Sequence, residues 1–179
     1  MERQNNRTFA KQLYAKAIAK LMETKTEEER FYALGRAAKC SIDVGKIEEA
    51  KELAKELQKL MQKYPNNWNY GNAIQDTNIV FGRIAILEGR IEDARKHLLE
   101  AGKSPGSPQM NSFGPNMGLA KDLLEKGEKE VVLQYFELCS IFWTKKDDMR
   151  KQKTEDILKE WAQQVSLGQI PDFKANLFY

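Results

Sequence analysis

The stretch FGRIAILEGRIEDA, Phe81 to Ala94, decides the fold. Phe81, Ile84 and Leu87 recur at three-residue steps and mark one face of a helix. Gly89 can adopt the left-handed backbone conformation that stops such a helix. Ile91 opens a second apolar stripe. Ala94 stands five residues after the glycine, where a small side chain lets two helices cross closely. The stretch therefore reads as the turn of a helical hairpin. Two others resemble it: GKIEEA from Gly45 to Ala50, and GEKEVV from Gly127 to Val132. Gly45, Gly89 and Gly127 are 44 and 38 residues apart. That suits one helical hairpin per repeat of roughly 34–47 residues.

Working outward, Ala10, Tyr14, Ala17, Ile18 and Leu21 predict a first helix over 7–23. Thr26 with Glu29 is a capping box and starts a second helix that runs to about Val44. Ile47, Ala50, Ala54, Leu57, Met61 and Tyr64 carry a third over 47–64, ended by Pro65. Helices follow over about 72–88, 91–101 and 115–127, with Pro115 suited to a first turn. The helix predicted over 128–143 is apolar around much of its circumference, so it is expected to be the most buried. An eighth over 154–167 follows a charged run, Thr144 to Lys153, which reads as a solvated linker or as a phosphate contact. Trp68 and Tyr70 either clamp a ligand or pin their loop.

Ser104 to Met117, SPGSPQMNSFGPNM, has no helical period and holds three of the five prolines. It reads as an enlarged join between the second and third hairpins, bonded to itself. It is also a candidate anion site, because Ser107, Gln109, Asn111, Ser112 and Asn116 stand near the free N–H groups of the following helix.

The chain has 179 residues, 41% apolar and 31% charged, which fits one helix-rich domain. A net charge of +3 does not by itself point to nucleic acid or to a membrane surface. No run approaches the ~18 apolar residues of a membrane span, and the N-terminus has no signal-peptide core. The expected compartment is the cytoplasm. Cys40 and Cys139 are far apart, and His97 is the only histidine, so no metal or cofactor is expected. No carboxylate pair stands out as acid and base. Ser104, Ser107 and Ser112 have no base beside them in sequence, so catalysis is not expected. There is no P-loop and no dinucleotide fingerprint.

With Gly82, Gly89, Ala94, Leu98 and Ala101 at their spacing, the 81–101 region resembles a tetratricopeptide repeat. The likeness extends more loosely over about Phe31 to Trp143. Ala38 or Ala120 stands where Gly82 does, and Val132 where Ala94 does. The stretch GSPQMNSFGPNMGLA is also similar to small bacterial repeat proteins, a likeness that supplies no activity. The tetratricopeptide resemblance implies an all-α, right-handed stack of three hairpins (about 27–64, 72–101 and 115–143). One additional helix stands at each end, giving an alpha-alpha superhelix.

In that family the first helix of each hairpin lines a concave groove. Six residues before the turn glycines stand Lys39, Arg83 and Lys121, a basic ladder. Ten before stand Gly35, Ile79 and Met117, and three before stand Ile42, Ile86 and Leu124. Asn78 and Asn116 occupy equivalent places, but Leu34 breaks that series, and no carboxylate clamp is read from it. The groove residues nominated are Lys39, Ile79, Arg83, Ile86, Asn116, Met117 and Lys121. They suit a protein or peptide partner with acidic residues. Two readings of the groove stand side by side: open to a partner, or covered by the terminal helix or by Ile170, Phe173, Leu177 and Phe178. The alternatives to a peptide-binding adaptor are a nucleic-acid-associated factor using basic helix faces, and a homo-oligomeric structural protein.

Overall fold

The computed structural model describes the backbone of residues 2–144 and 149–177, and side chains over 7–144 and 151–177. Residues 145–148 of the charged run, and Phe178, lie outside the described residues. The described chain is helical, with no strand. Its helices are α1 (Glu2–Met22), α2 (Glu27–Asp43), α3 (Ile47–Met61), α4 (Tyr70–Leu87), α5 (Ile91–Gly102), α6 (Pro108–Phe113), α7 (Gly118–Leu124), α8 (Lys129–Trp143) and α9 (Met149–Ser166). A single 3-10 turn follows at Lys174–Leu177.

The three turns share one hydrogen-bond pattern. Gly45, Gly89 and Gly127 sit at φ of +80°, +76° and +83°. In each, the glycine N–H reaches back three residues and the next N–H reaches back five: Lys46 N to Ser41 O at 2.9 Å, Arg90 N to Ala85 O at 2.8 Å and Glu128 N to Leu123 O at 3.0 Å. This satisfies carbonyls that the ending helix would otherwise leave open. Gly168 repeats the geometry at the end of α9. Ala50, Ala94 and Val132 are fully buried at the crossings that follow. The capping box at α2 is formed, with Glu29 N donating to Thr26 Oγ1 at 3.1 Å and Thr26 N to Glu29 Oε2 at 3.3 Å.

Sequential helices pair as hairpins, α2 with α3, α4 with α5, and α7 with α8. The first helices α2, α4 and α7 touch in series, while α3 packs on α4 and α5 on α7 and α8. The helix α1 covers α2, and α9 covers α8. Apolar side chains of α4, α5, α7, α8 and α9 merge into the largest core, around Leu98, Met117, Leu119, Tyr135 and Phe142. Two smaller cores lie where α1 to α4 meet.

Several features differ from the sequence reading: α1 begins at Glu2, α3 ends at Met61, and α9 begins at Met149, inside the run read as a linker. The helix α8 has seven buried residues, whereas α2 and α4 have nine each, because those two are flanked on both sides. Ile141 of α8 faces outward, 63% exposed. Inside 104–117 a six-residue helix forms, α6, capped by Ser107 Oγ accepting from Met110 N at 3.0 Å, with Pro108 at its first position. Pro115 does not start the next helix. The 115–117 backbone is bonded elsewhere, and α7 begins at Gly118.

Close crossings depend on missing Cβ atoms. A Cβ on Gly71 would lie 2.0 Å from the Gly106 carbonyl oxygen, and one on Gly35 would lie 2.1 Å from Asp76 Oδ2. Gly71→Ala meets backbone that cannot rotate away. It is expected to lower stability by about 2 kcal/mol, a fall in Tm of about 4–8 °C for a chain this long, read by thermal unfolding monitored at 222 nm.

Candidate functional site

The 104–117 segment is built into the fold. Ser104 Oγ donates to Gly71 O at 2.8 Å and accepts from Gly106 N at 3.2 Å. Ser107 Oγ donates to Asn72 Oδ1 at 2.6 Å, and Asn72 Nδ2 donates to Gln109 Oε1 at 2.5 Å. Deeper in, three buried polar groups close a ring. Gln75 Nε2 donates to the Tyr135 hydroxyl at 3.1 Å, that hydroxyl donates to Asn116 O at 2.8 Å, and Asn116 N donates to Gln75 Oε1 at 3.0 Å. The ring ties α4, α8 and the segment together.

Two of the N–H groups where α7 begins are taken. Gly118 N donates to Asn116 Oδ1 at 2.8 Å, and Met117 N donates to Asn176 O at 2.8 Å. Ser112 Oγ donates to Pro108 O at 2.8 Å.

The seven residues nominated from the repeat register separate into two groups. Ile79, Met117 and Asn116 are buried, and Ile86 is half-buried against the largest core. They hold the helices together and present little surface. The ladder cations are engaged. Lys39 pairs with Asp76, into space that Gly35 leaves open. Arg83 of α4 reaches Asp122 of α7 at 2.7 Å and Asp43 of α2 at 2.6 Å, so one guanidinium ties three first helices. Loss of water pulls its pKa down, but Asp122 and Asp43 more than offset this and hold it above its ordinary value. Lys121 is half-buried, with Glu125 at 3.9 Å. Asn78 is committed too, donating to Ile74 O and facing His97 Nδ1, each at 2.9 Å.

The open space lies one helical face away. A cavity of about 620 Å³ sits between α2, α4 and α6, with Lys20, Arg36, Asn72, Asp76, Gln109 and Phe113 in its wall. No ion pair joins Lys20 or Arg36 to another described residue, although Arg36 lies close enough to the Asp76 carboxyl to favour its charged form. Phe113 is 67% exposed at the rim. At the floor, burial raises the Asp76 carboxyl above the usual carboxylate range, and Lys39 opposes that. Trp68 leans on Tyr32, ring centroids 5.0 Å apart, and so pins its loop to a cavity wall. The sequence reading missed Arg36. Its only signal is its position nine residues before Gly45, one turn from Lys39.

The remaining reactive groups are sequestered. Burial raises both the Cys40 and the Cys139 thiols, far up for Cys139. Among the described residues no cluster of three or more His, Cys, Asp or Glu could hold a metal ion. Likewise, no described helix is long and apolar enough to cross a membrane.

Arg83→Met leaves Asp43 and Asp122 facing one another without their cation. It is expected to cost about 3 kcal/mol, while Arg36→Met changes stability by under ~0.5 kcal/mol. Urea denaturation of the two variants checks the contrast. Burial also holds His97 below its ordinary value of 6.5. The unfolded chain therefore binds this proton first, and the contribution is full above about pH 6.5, then lost as pH falls through the lower folded value. His97→Gln removes that part of the slope in unfolding free energy measured against pH.

No protein-family model, no curated protein and no solved structure matches the chain.

Proposed function

We propose that the chain is a tetratricopeptide-like right-handed stack acting as a cytoplasmic adaptor or regulator. It holds an acidic peptide segment of a partner protein in the cavity between α2, α4 and α6. The observation that carries this reading is a pair of exposed cations outside any ion pair, Lys20 and Arg36, on the wall of a cavity of about 620 Å³. That volume lies within the range of sites for compact ligands, roughly 300–1,000 Å³. Phe113 at the rim offers apolar contact, and Gln109 offers an amide for a peptide backbone. Arg36 presents a planar fork of donors suited to carboxylates. Lys39 and Arg83 are already neutralised by aspartates, so selectivity for acidic residues falls to Lys20 and Arg36.

The wild-type chain is expected to bind acidic peptides in preference to neutral and basic ones of equal length, with affinity falling as salt rises. Lys20→Gln combined with Arg36→Gln is expected to weaken acidic-peptide binding at least ~10-fold, a change of about 1.4 kcal/mol, in a variant that stays folded. Fluorescence anisotropy on a charge-graded peptide set reads both. No preference for acidic peptides, or equal binding by the folded double variant, overturns the reading.

A further inference from the structure

After α9 the chain crosses back over the face made by the first helices. Pro171 and Phe173 are its apolar anchors, with Phe173 buried edge-on against Trp161 at 5.0 Å. Beyond Phe173 the attachment changes character. Lys174 and Ala175 are exposed, and Asn176 and Leu177 only half-buried. Lys174 sits at φ +48°, a conformation that side-chain-bearing residues rarely adopt. The segment is held by Leu177, which packs against the largest core, and by Asn176. Its Nδ2 donates to Phe113 O at 3.1 Å and Pro115 O at 2.9 Å, and its carbonyl accepts from Met117 N at 2.8 Å. Each of these uses main-chain groups of the 113–117 segment, so any extended segment with an amide at the right place can replace them.

The position of this turn is what gives it meaning. Ala175 forms part of the wall of the 620 Å³ cavity. Leu177 lines a gap of about 10 Å³ beside Lys39 and Arg83, and also a cavity of about 220 Å³ that reaches Lys121. Neighbouring spaces share walls: Arg36 and Lys39 border the first two, Asp43 and Arg83 the second two. On its other side, Lys174 and Asn176 line a space of about 660 Å³ against α8 and α9, so the turn borders all four spaces.

We infer that Lys174–Leu177 is a displaceable strap, an in-cis occupant of the face formed by α2, α4 and α7. Its release joins the three spaces into one channel running from Arg36 past Arg83 to Lys121. A peptide entering the cavity competes with the strap for the Phe113 and Pro115 carbonyls and the Met117 N–H. That last step alone rests on the peptide-site reading above.

The test uses the full chain and the Asn176→Asp variant, whose carboxylate faces the two carbonyls and weakens the strap. Amide hydrogen exchange is followed by NMR at Met117 and at central positions of α4 and α8. A labelled heptapeptide with the sequence of Pro171–Leu177 is then titrated in. The expected result is that Met117 exchanges at least ~10-fold faster than the α4 and α8 centres in the wild type. It exchanges ~10-fold faster again in Asn176→Asp with those centres unchanged. The heptapeptide then shifts the Met117 resonance in the variant at concentrations at least ~10-fold below those the wild type needs. Exchange at Met117 that matches the α4 and α8 centres in the wild type overturns the proposal, since the turn then opens only with the whole fold. Loss of protection throughout the variant overturns it for the same reason, and so does a folded variant that ignores the heptapeptide. With capped termini the heptapeptide carries no net charge, Asp172 being balanced by Lys174, so failure of the acidic-peptide reading leaves its readout intact.

Discussion

A ring of three hydrogen bonds, Gln75 to Tyr135 to Asn116 and back to Gln75, fixes the middle of this protein. All three residues are buried. A buried polar group without a partner costs far more than a hydrogen bond contributes when made, so the ring tolerates little displacement. It therefore sets where α8 lies against α4 and where the 113–117 backbone runs. The main-chain groups of that backbone are the ones Asn176 grips, and α6 just before it forms one wall of the 620 Å³ cavity.

Around this ring the first helices approach closely at two glycines. Gly35 leaves the space that Asp76 fills on its way to Lys39, and Gly82 leaves the space for Leu119. Close approach has an electrostatic consequence. Cations that a repeat register places at equivalent positions on neighbouring helices come within reach of aspartates on the adjoining ones. Lys39 and Arg83 thereby become ties between helices. Lys20 and Arg36, which stand outside any ion pair, line the cavity instead. A charge in a repeat protein is thus structural or available according to what the next helix carries opposite it.

Much of the helical framework was legible because its signals are local. Thr26 and Glu29 announce a capping box three residues apart. The turn glycines announce a left-handed residue whose bonds close within six positions. Ser107-Pro108 is an equally local signal for α6, masked by the prolines and glycines around it. The start of α7 was not legible, because Pro115 suits a first turn and is overruled by Gln75 and Asn176, 41 and 61 residues away from the groups they bind. Ile79 and Met117 show the same limit. Their register is that of a groove, but the core of α4, α5, α7 and α8 closes over them.

The sequence by itself determined that the chain is helical, where most helices begin and end, and which small residues sit at their crossings. Each of these depends on interactions between residues a few positions apart. Only the tertiary structure decided which cations are paired, which polar side chains are buried in a ring, and that Ala175 and Leu177 lie across the face of the first helices. Those outcomes depend on what stands opposite a side chain after the hairpins stack. A periodic pattern marks the direction in which a residue points, and the packed neighbour determines what it meets there.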